Sequence, residues 1–223
     1  VPRSTPEPSV RVAVWDRAVR IVHWLLAALI GLAWWTAEEE MLDWHERIGM
    51  AILGLLVFRL VWGFVGSSTA RFAGFVRGPA AILDYLRGRS GFVLGHNPLG
   101  ALSVLALLTL VGAEVGLGLF ASDEDGFLSG PLAAFVSEDM AETLTGLHED
   151  LFDWLLVLIG LHVAAIAFYL LVKRDNLVAP MLGGRRSAPE GTPPMVAAPA
   201  WRAFAAAVVA FAVMSAVWWA GRI

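Results

Sequence analysis

Long apolar runs separated by short polar connections organise this chain. Five runs stand out, at about residues 21–37, 44–65, 99–120, 147–172 and 201–221. Each approaches the roughly 20 residues that a helix needs to cross a bilayer. Leu, Ala, Val and Phe fill them with no strand-like alternation, so helices are favoured over a β-barrel. The pattern predicts an all-α integral membrane protein. A soluble all-helical protein with buried helices is the alternative. Composition argues against it: 58% of residues are hydrophobic and 16% charged, and the mean hydropathy is +0.68, values at home in membrane proteins. The first run leads into Glu38-Glu39-Glu40, not a small-residue cleavage site, and reads as a span, not a cleaved leader.

Charge sorts by side. Arg11, Arg17, Arg20, Arg71, Arg77, Arg87, Arg89, Lys173, Arg174, Arg185 and Arg186 lie before the first run, between the second and third, and between the fourth and fifth. The other two connections carry Glu38–Glu40, Asp43 and Glu46, then Asp123, Glu124, Asp125, Glu138, Asp139, Glu142, Glu149 and Asp150, offset only by Arg47. The positive-inside bias predicts the N-terminus in the cytoplasm and the C-terminus outside. Trp15, Trp24, Trp34, Trp35, Trp44, Trp62, Trp201, Trp218 and Trp219 fall near span ends, as interfacial belts do, whereas Trp154 is expected to pack inside the bundle. Pro79 is expected to start a short surface helix presenting Ile82, Leu83 and Leu86, and Pro131 a similar turn. Residues 1–10 read as a flexible N-terminus and residues 185–200, rich in proline, as a cytoplasmic linker to the last helix.

The chain has no cysteine. That removes disulfides, thiolate metal sites and covalently attached haem from consideration. It has five histidines. A net charge of −4 goes with no nucleic-acid partner. Histidine within a membrane span tends to mark a site, and imidazole is a common axial ligand of haem iron. His148 and His162 share one helix, 14 residues apart, which is about 21 Å along the axis and about 40° around it. With the orientation above, His23 and His162 fall at the inner level, and His45 and His148 at the outer one. Each pair comes from two helices, as bis-histidine haem in a bundle requires. Four isolated interfacial histidines bonded to water or backbone are the bland alternative. A zinc or copper site would want more ligands converging at one depth.

Arg59 follows His45 by the same 14 residues, so it falls near the inner level, suited to a haem propionate or to snorkelling toward lipid phosphate. Arg20, one turn before His23, is a second propionate candidate. Glu114 lies in the outer part of the third span, where a charged carboxyl is costly; it is expected to be protonated or bonded within the bundle, with a quinone or proton role as the sharper reading. Gly112, Gly116 and Gly118 have spacing that permits close helix packing or room for a flat macrocycle. His96-Asn97-Pro98 opens the third helix, with Asn97 as cap. His96 has no partner at its depth by this reading, and suits a surface, propionate or quinone contact. The fifth span has no titratable residue between Arg202 and Arg222, so it offers no haem ligand and reads as a packing or docking helix.

Val14-Trp15-Asp16-Arg17, His23-Trp24, Trp44-His45-Glu46, Arg59, Trp62-Gly63, Gly66, Ala70-Arg71-Phe72, Gly78-Pro79, His96-Asn97-Pro98-Leu99-Gly100, His148-Glu149, His162 and Asn176-Leu177 occur in an order that resembles the bacterial cytochrome b561 family. The b-type cytochrome subunits of nickel–iron hydrogenases and formate dehydrogenases are similar. The resemblance covers about residues 11–184. It implies a four-helix transmembrane bundle binding two non-covalent b haems through His23, His45, His148 and His162, here with a fifth C-terminal transmembrane helix (201–223) added. It also implies electron exchange between a quinone, ubiquinone being one candidate, and a redox partner. The acidic outer face suits a basic c-type cytochrome, or serves only solubility. Other readings are a superoxide:quinone oxidoreductase, which a strongly acidic entry face disfavours, a membrane-anchor subunit of a hydrogenase or dehydrogenase complex, and a haem-free membrane scaffold.

Overall fold

The computed structural model describes residues 9–122 and 129–222. The acidic segment Asp123, Glu124 and Asp125 lies outside the described residues, as does the expected flexible N-terminus apart from its last two positions. In chain order the elements are β1 (Ser9–Ala13), α1 (Arg17–Glu38), α2 (Leu42–Val65), α3 (Phe72–Phe75), α4 (Pro79–Leu86), α5 (Pro98–Gly118), a 3₁₀ turn (Ala133–Phe135), α6 (Glu138–Leu171), α7 (Val178–Gly183), β2 (Arg185–Pro189) and α8 (Ala200–Ala220). Five of these helices, α1, α2, α5, α6 and α8, are long and apolar enough to cross a membrane.

Local chemistry sets the helix starts. The Asp16 side chain accepts from Val19 N at 2.8 Å and caps α1. Asn97 does the same for α5 through Gly100 N at 2.8 Å, and Pro98 in the first turn has no amide hydrogen to leave unpaired. Ser137 caps α6, with Glu138 and Asp139 in the first turn complementing the helix dipole. At 34 residues α6 is about 51 Å long, so it extends well beyond the apolar run that reveals it in the sequence.

Helix α2 is the centre of the bundle, packing on α1, α5 and α8, while α6 packs on α5. Ile52, Leu56, Val111 and Leu155 form the mid-bundle core. A second cluster near the N-terminal end of α1 joins Val19, Trp62, Ala70 and Ala206, so α8 is seated on the bundle through its alanines. Arg202 Nη1 also donates to the Val65 carbonyl at 3.1 Å. Leu155 is 1% exposed. It lies seven residues after His148, about 20° from it around the helix. Trp154 is a further 100° round and is 67% exposed, which corrects its expected place inside the bundle. Trp62 departs from the interfacial belt: it is buried, stacks on Phe58 and donates through Nε1 to Asp16 Oδ2 at 3.1 Å. Trp24, Trp34, Trp35, Trp44, Trp201 and Trp219 are exposed on the bundle surface.

The segment 185–200 is not a loose tether. Its start forms β2, antiparallel to β1 with Ser9 opposite Pro189 and Ala13 opposite Arg185. Its remainder is stitched to the turn after α2: Val196 N donates to Ser68 Oγ at 3.0 Å and Ala198 N to Ser67 Oγ at 3.1 Å. Five-residue strands are too short to register against the helical pattern. Gly184 makes the entry to β2 possible. It sits at φ +76, and a Cβ there would lie 2.9 Å from the Trp15 carbonyl oxygen.

Candidate functional site

At the end of the bundle rich in carboxylates, α2 and α6 bring two imidazoles together. The His45 and His148 ring centroids are 6.0 Å apart, with the planes near perpendicular. His45 Nδ1 is 2.9 Å from the Ala33 carbonyl of α1. His148 Nδ1 is 3.0 Å from the Glu114 carbonyl of α5 and 3.2 Å from Glu114 Oε1. Carbonyls only accept, so in each ring Nδ1 carries the hydrogen and Nε2 keeps the lone pair. Both rings line a cavity of about 620 Å³. Gly49, one turn after His45, borders it, and a Cβ added there would meet nothing within 4 Å. On the other wall a Cβ at Gly118 would come within 3.0 Å of the His148 ring. Glu38, Glu40, Glu46, Glu149, Asp150 and Asp153 also line this cavity.

The opposite end gathers His23, Arg59, His96 and His162. His23 and His162 act on each other electrostatically, and His96 feels Arg59, His162 and His23. His162 Nδ1 is 3.4 Å from Ser103 Oγ of α5. His23 Nδ1 and Arg59 Nη1 are buried with no hydrogen-bond partner. Arg59 is 7% exposed, with its guanidinium 5.2 Å from the centre of the Phe72 ring. The Asp16 carboxylate acts on it as well. His96 departs from the expectation of a residue alone at its depth. Its ring lies between Trp15 and Phe75, at centroid distances of 4.6 Å and 4.7 Å. Burial, then the charges of Arg59, His162 and His23, push its pKa down to about 3. The loop before α5 folds back over the bundle end, which depth along a span does not reveal. Arg20 stands apart from this group: its Nη1 donates to the Leu182 carbonyl of α7, while its Nε is buried without a partner.

Beside this end lies a polar group that the sequence reading passed over. Tyr85 of α4 and Tyr169 of α6 share a hydroxyl–hydroxyl hydrogen bond, and Asn97 Nδ2 donates to Tyr169 at 3.0 Å. Burial and the bond to Tyr169 raise the Tyr85 pKa to about 12.

The family model for prokaryotic cytochrome b561 matches residues 14–184. The chain belongs to the prokaryotic cytochrome b561 family. The match ends at the left-handed cap of α7 and leaves β2 and α8 outside it. No curated protein and no solved structure matches the chain. Family membership makes this a multi-pass membrane cytochrome of b type, an electron-transfer protein, and implies b-type haem. The residues at the acidic end fit such a group. His45 and His148, each with Nδ1 engaged by a carbonyl and Nε2 left free, are the imidazoles that would hold its iron. A cavity of this volume suits a cofactor. At the other end the unpartnered Arg59 and His23 nitrogens are what an anionic, metal-bearing group would satisfy.

Proposed function

We propose that this cytochrome b561 binds two haems, one between His45 and His148 and one between His23 and His162, and carries electrons across the inner membrane between the quinone pool and a redox partner. The observation that carries the reading is the His45–His148 pair: rings 6.0 Å apart beside a cavity of about 620 Å³, each with Nδ1 already engaged by a backbone carbonyl. Those carbonyls hold the rings in the tautomer that presents Nε2. When bound, each haem supplies a one-electron couple. Arg59 offers a fixed bidentate donor to a propionate. His96 stays neutral in its aromatic sandwich and offers a polar contact to a propionate or a quinone at the same level. Ile52, Leu56, Val111 and Leu155 keep the space between the two levels dry.

The arginine-rich loops are cytoplasmic by the positive-inside bias, which makes the carboxylate-rich end periplasmic. Glu38, Glu40, Glu46, Glu149, Asp150 and Asp153 around its cavity suit a basic c-type cytochrome and speed its encounter at low salt. The same charges repel superoxide. The test is reconstitution in liposomes: quinol is expected to reduce b-type absorption bands, and a basic c-type cytochrome added outside to reoxidise them. Purified protein without b-type bands in a reduced-minus-oxidised spectrum sinks the proposal.

A further inference from the structure

We propose that the cleft between α1, α2 and α8 holds one acyl chain of an anionic phospholipid, with the headgroup taken by Arg17 and Arg202 at its mouth. Helices α1 and α8 both pack on α2 and hardly on one another. A cleft therefore opens between them along α2. Its volume is about 540 Å³, and every residue that lines it is apolar. Ala51 and Gly54 make a floor of small residues, and a Cβ added at Gly54 would meet only Met214 Sδ, at 3.4 Å. Ile21 and Leu25 of α1 form one wall, Ala207 and Phe211 of α8 the other. Ile21, Leu25 and Phe211 are exposed. All three helices are long and apolar enough to cross a membrane, so the cleft faces lipid and not water. The family match ends at residue 184, so the α8 wall lies outside it.

Length and charge select the occupant. Along α1 the cleft runs from Ala18 to Leu29, about 16 Å of helix. Half of the roughly 30 Å hydrocarbon core is about 15 Å. The cleft thus spans one leaflet, which suits an acyl chain; a partner's transmembrane helix would need both. Its Ala18 end is the basic one. Ala18, Phe58 and Ala203 pack on the same buried cluster there. Arg17 is exposed and lies one turn before Ile21 on the same face of α1. Arg202 stands in the first turn of α8. One of its nitrogens donates to the Val65 carbonyl at 3.1 Å, and a guanidinium has further donors for a phosphate. The carboxylates carried by these three helices, Glu38, Asp43 and Glu46, all lie at the opposite end. Asp16 is near, but its Oδ1 accepts from Val19 N and its Oδ2 from Trp62 Nε1. A phosphate therefore meets arginine, whereas the ammonium of a zwitterionic headgroup finds its nearest carboxylate already engaged. A chain seated in the cleft links α8 to α1, two helices that hardly touch.

The experiment is native mass spectrometry of the full chain, released from detergent after addition of phosphatidylglycerol or phosphatidylethanolamine. The unmodified chain is expected to retain one phosphatidylglycerol in preference to phosphatidylethanolamine. Arg17→Gln should weaken phosphatidylglycerol binding about fivefold, the worth of one cation at a lipid headgroup, and leave phosphatidylethanolamine binding unchanged. Gly54→Leu fills the floor and Ala207→Phe the α8 wall, and either should abolish retention of both lipids. Gly31→Leu is the control on α1: a Cβ there meets nothing within 4 Å, it lies outside the cleft, and retention should persist. Phosphatidylglycerol carrying a photoreactive diazirine on its acyl chain should label α1, α2 and α8. Retention by Ala207→Phe equal to that of the unmodified chain overturns the proposal. So does Arg17→Gln with the lipid preference intact, or labelling spread equally onto α6. A retained isoprenoid quinone, or a second copy of the chain, in place of the phospholipid overturns it as well. If Gly54→Leu does not fold, Ala207→Phe and Arg17→Gln still decide.

Discussion

Replacing Gly118 by alanine puts a methyl group against the ring on which the acidic-end cavity depends. The added Cβ would stand 3.0 Å from His148 Cε1 and 3.4 Å from Nδ1. Carbon atoms rest at about 3.5–4.0 Å, so the ring must retreat by about 0.5–1 Å. Its Nδ1 bonds, now at 3.0 Å and 3.2 Å, then reach or pass the length of about 3.5 Å beyond which they are no longer hydrogen bonds. Losing one costs about 1 kcal/mol, and misplacing the ring costs more. An overall loss of about 1–2 kcal/mol corresponds to about 5–30-fold weaker haem binding at that end. Gly116, two residues earlier on the same helix, is the control. A Cβ there meets nothing within 4 Å, and alanine is the better helix former by about 0.5–1 kcal/mol. Haem titration of the apo forms, read by absorbance, separates the two. Gly118→Ala binding both haems with unaltered affinity, or Gly116→Ala losing one, refutes this reading of the cavity wall.

Arg59→Met should weaken haem binding at the basic end about 10–100-fold, the worth of a charged hydrogen bond; a haem titration matching the unmodified chain would show that no propionate meets this guanidinium. Asp16→Ala removes both the α1 cap and the acceptor of Trp62. Thermal unfolding in detergent should register a loss of about 2 kcal/mol, about 4–8 °C, with Asp16→Asn nearer the unmodified chain; a smaller loss from Ala than from Asn contradicts the capping role. His96 is held neutral down to about pH 3 in the fold, against an ordinary value of 6.5. The unfolded chain therefore binds more protons between those values, and stability should fall as pH drops from 6.5 toward 3. Denaturation midpoints measured across that range should be flatter for His96→Phe; identical slopes would remove His96 from the acid response. Converting Glu149, Asp150 and Asp153 to their amides should slow reaction with a basic cytochrome at low salt and flatten its salt dependence, with stopped-flow rates as the check.

Much of the site was legible because helical spacing is rigid. Depth alone matches His45 with His148, and their ring centroids stand 6.0 Å apart. The partners that orient them were harder to see. Ala33 and Glu114 act through backbone carbonyls, which leave no mark in a side-chain pattern. One signal was present and unread: Ser103 and Glu114 are 11 residues apart on α5, about 20° around the helix. They therefore share a stripe, and each meets one histidine of the neighbouring α6. His96 escaped because its loop folds back over the bundle, so its neighbours Trp15 and Phe75 come from distant segments. The β1–β2 ribbon escaped because five residues with a few apolar side chains are a weak pattern beside spans of more than 20. Trp154 was misjudged because depth along α6 says nothing about direction around it, where Leu155 takes the core-facing stripe.

Haem stoichiometry in single-histidine variants tests the central claim most directly. A pyridine haemochrome assay should find two haems per chain in the unmodified protein, one in His148→Ala, one in His162→Ala, and none in the double variant. Two haems in either single variant, or both lost together in each, would contradict separate sites at the two ends of the bundle.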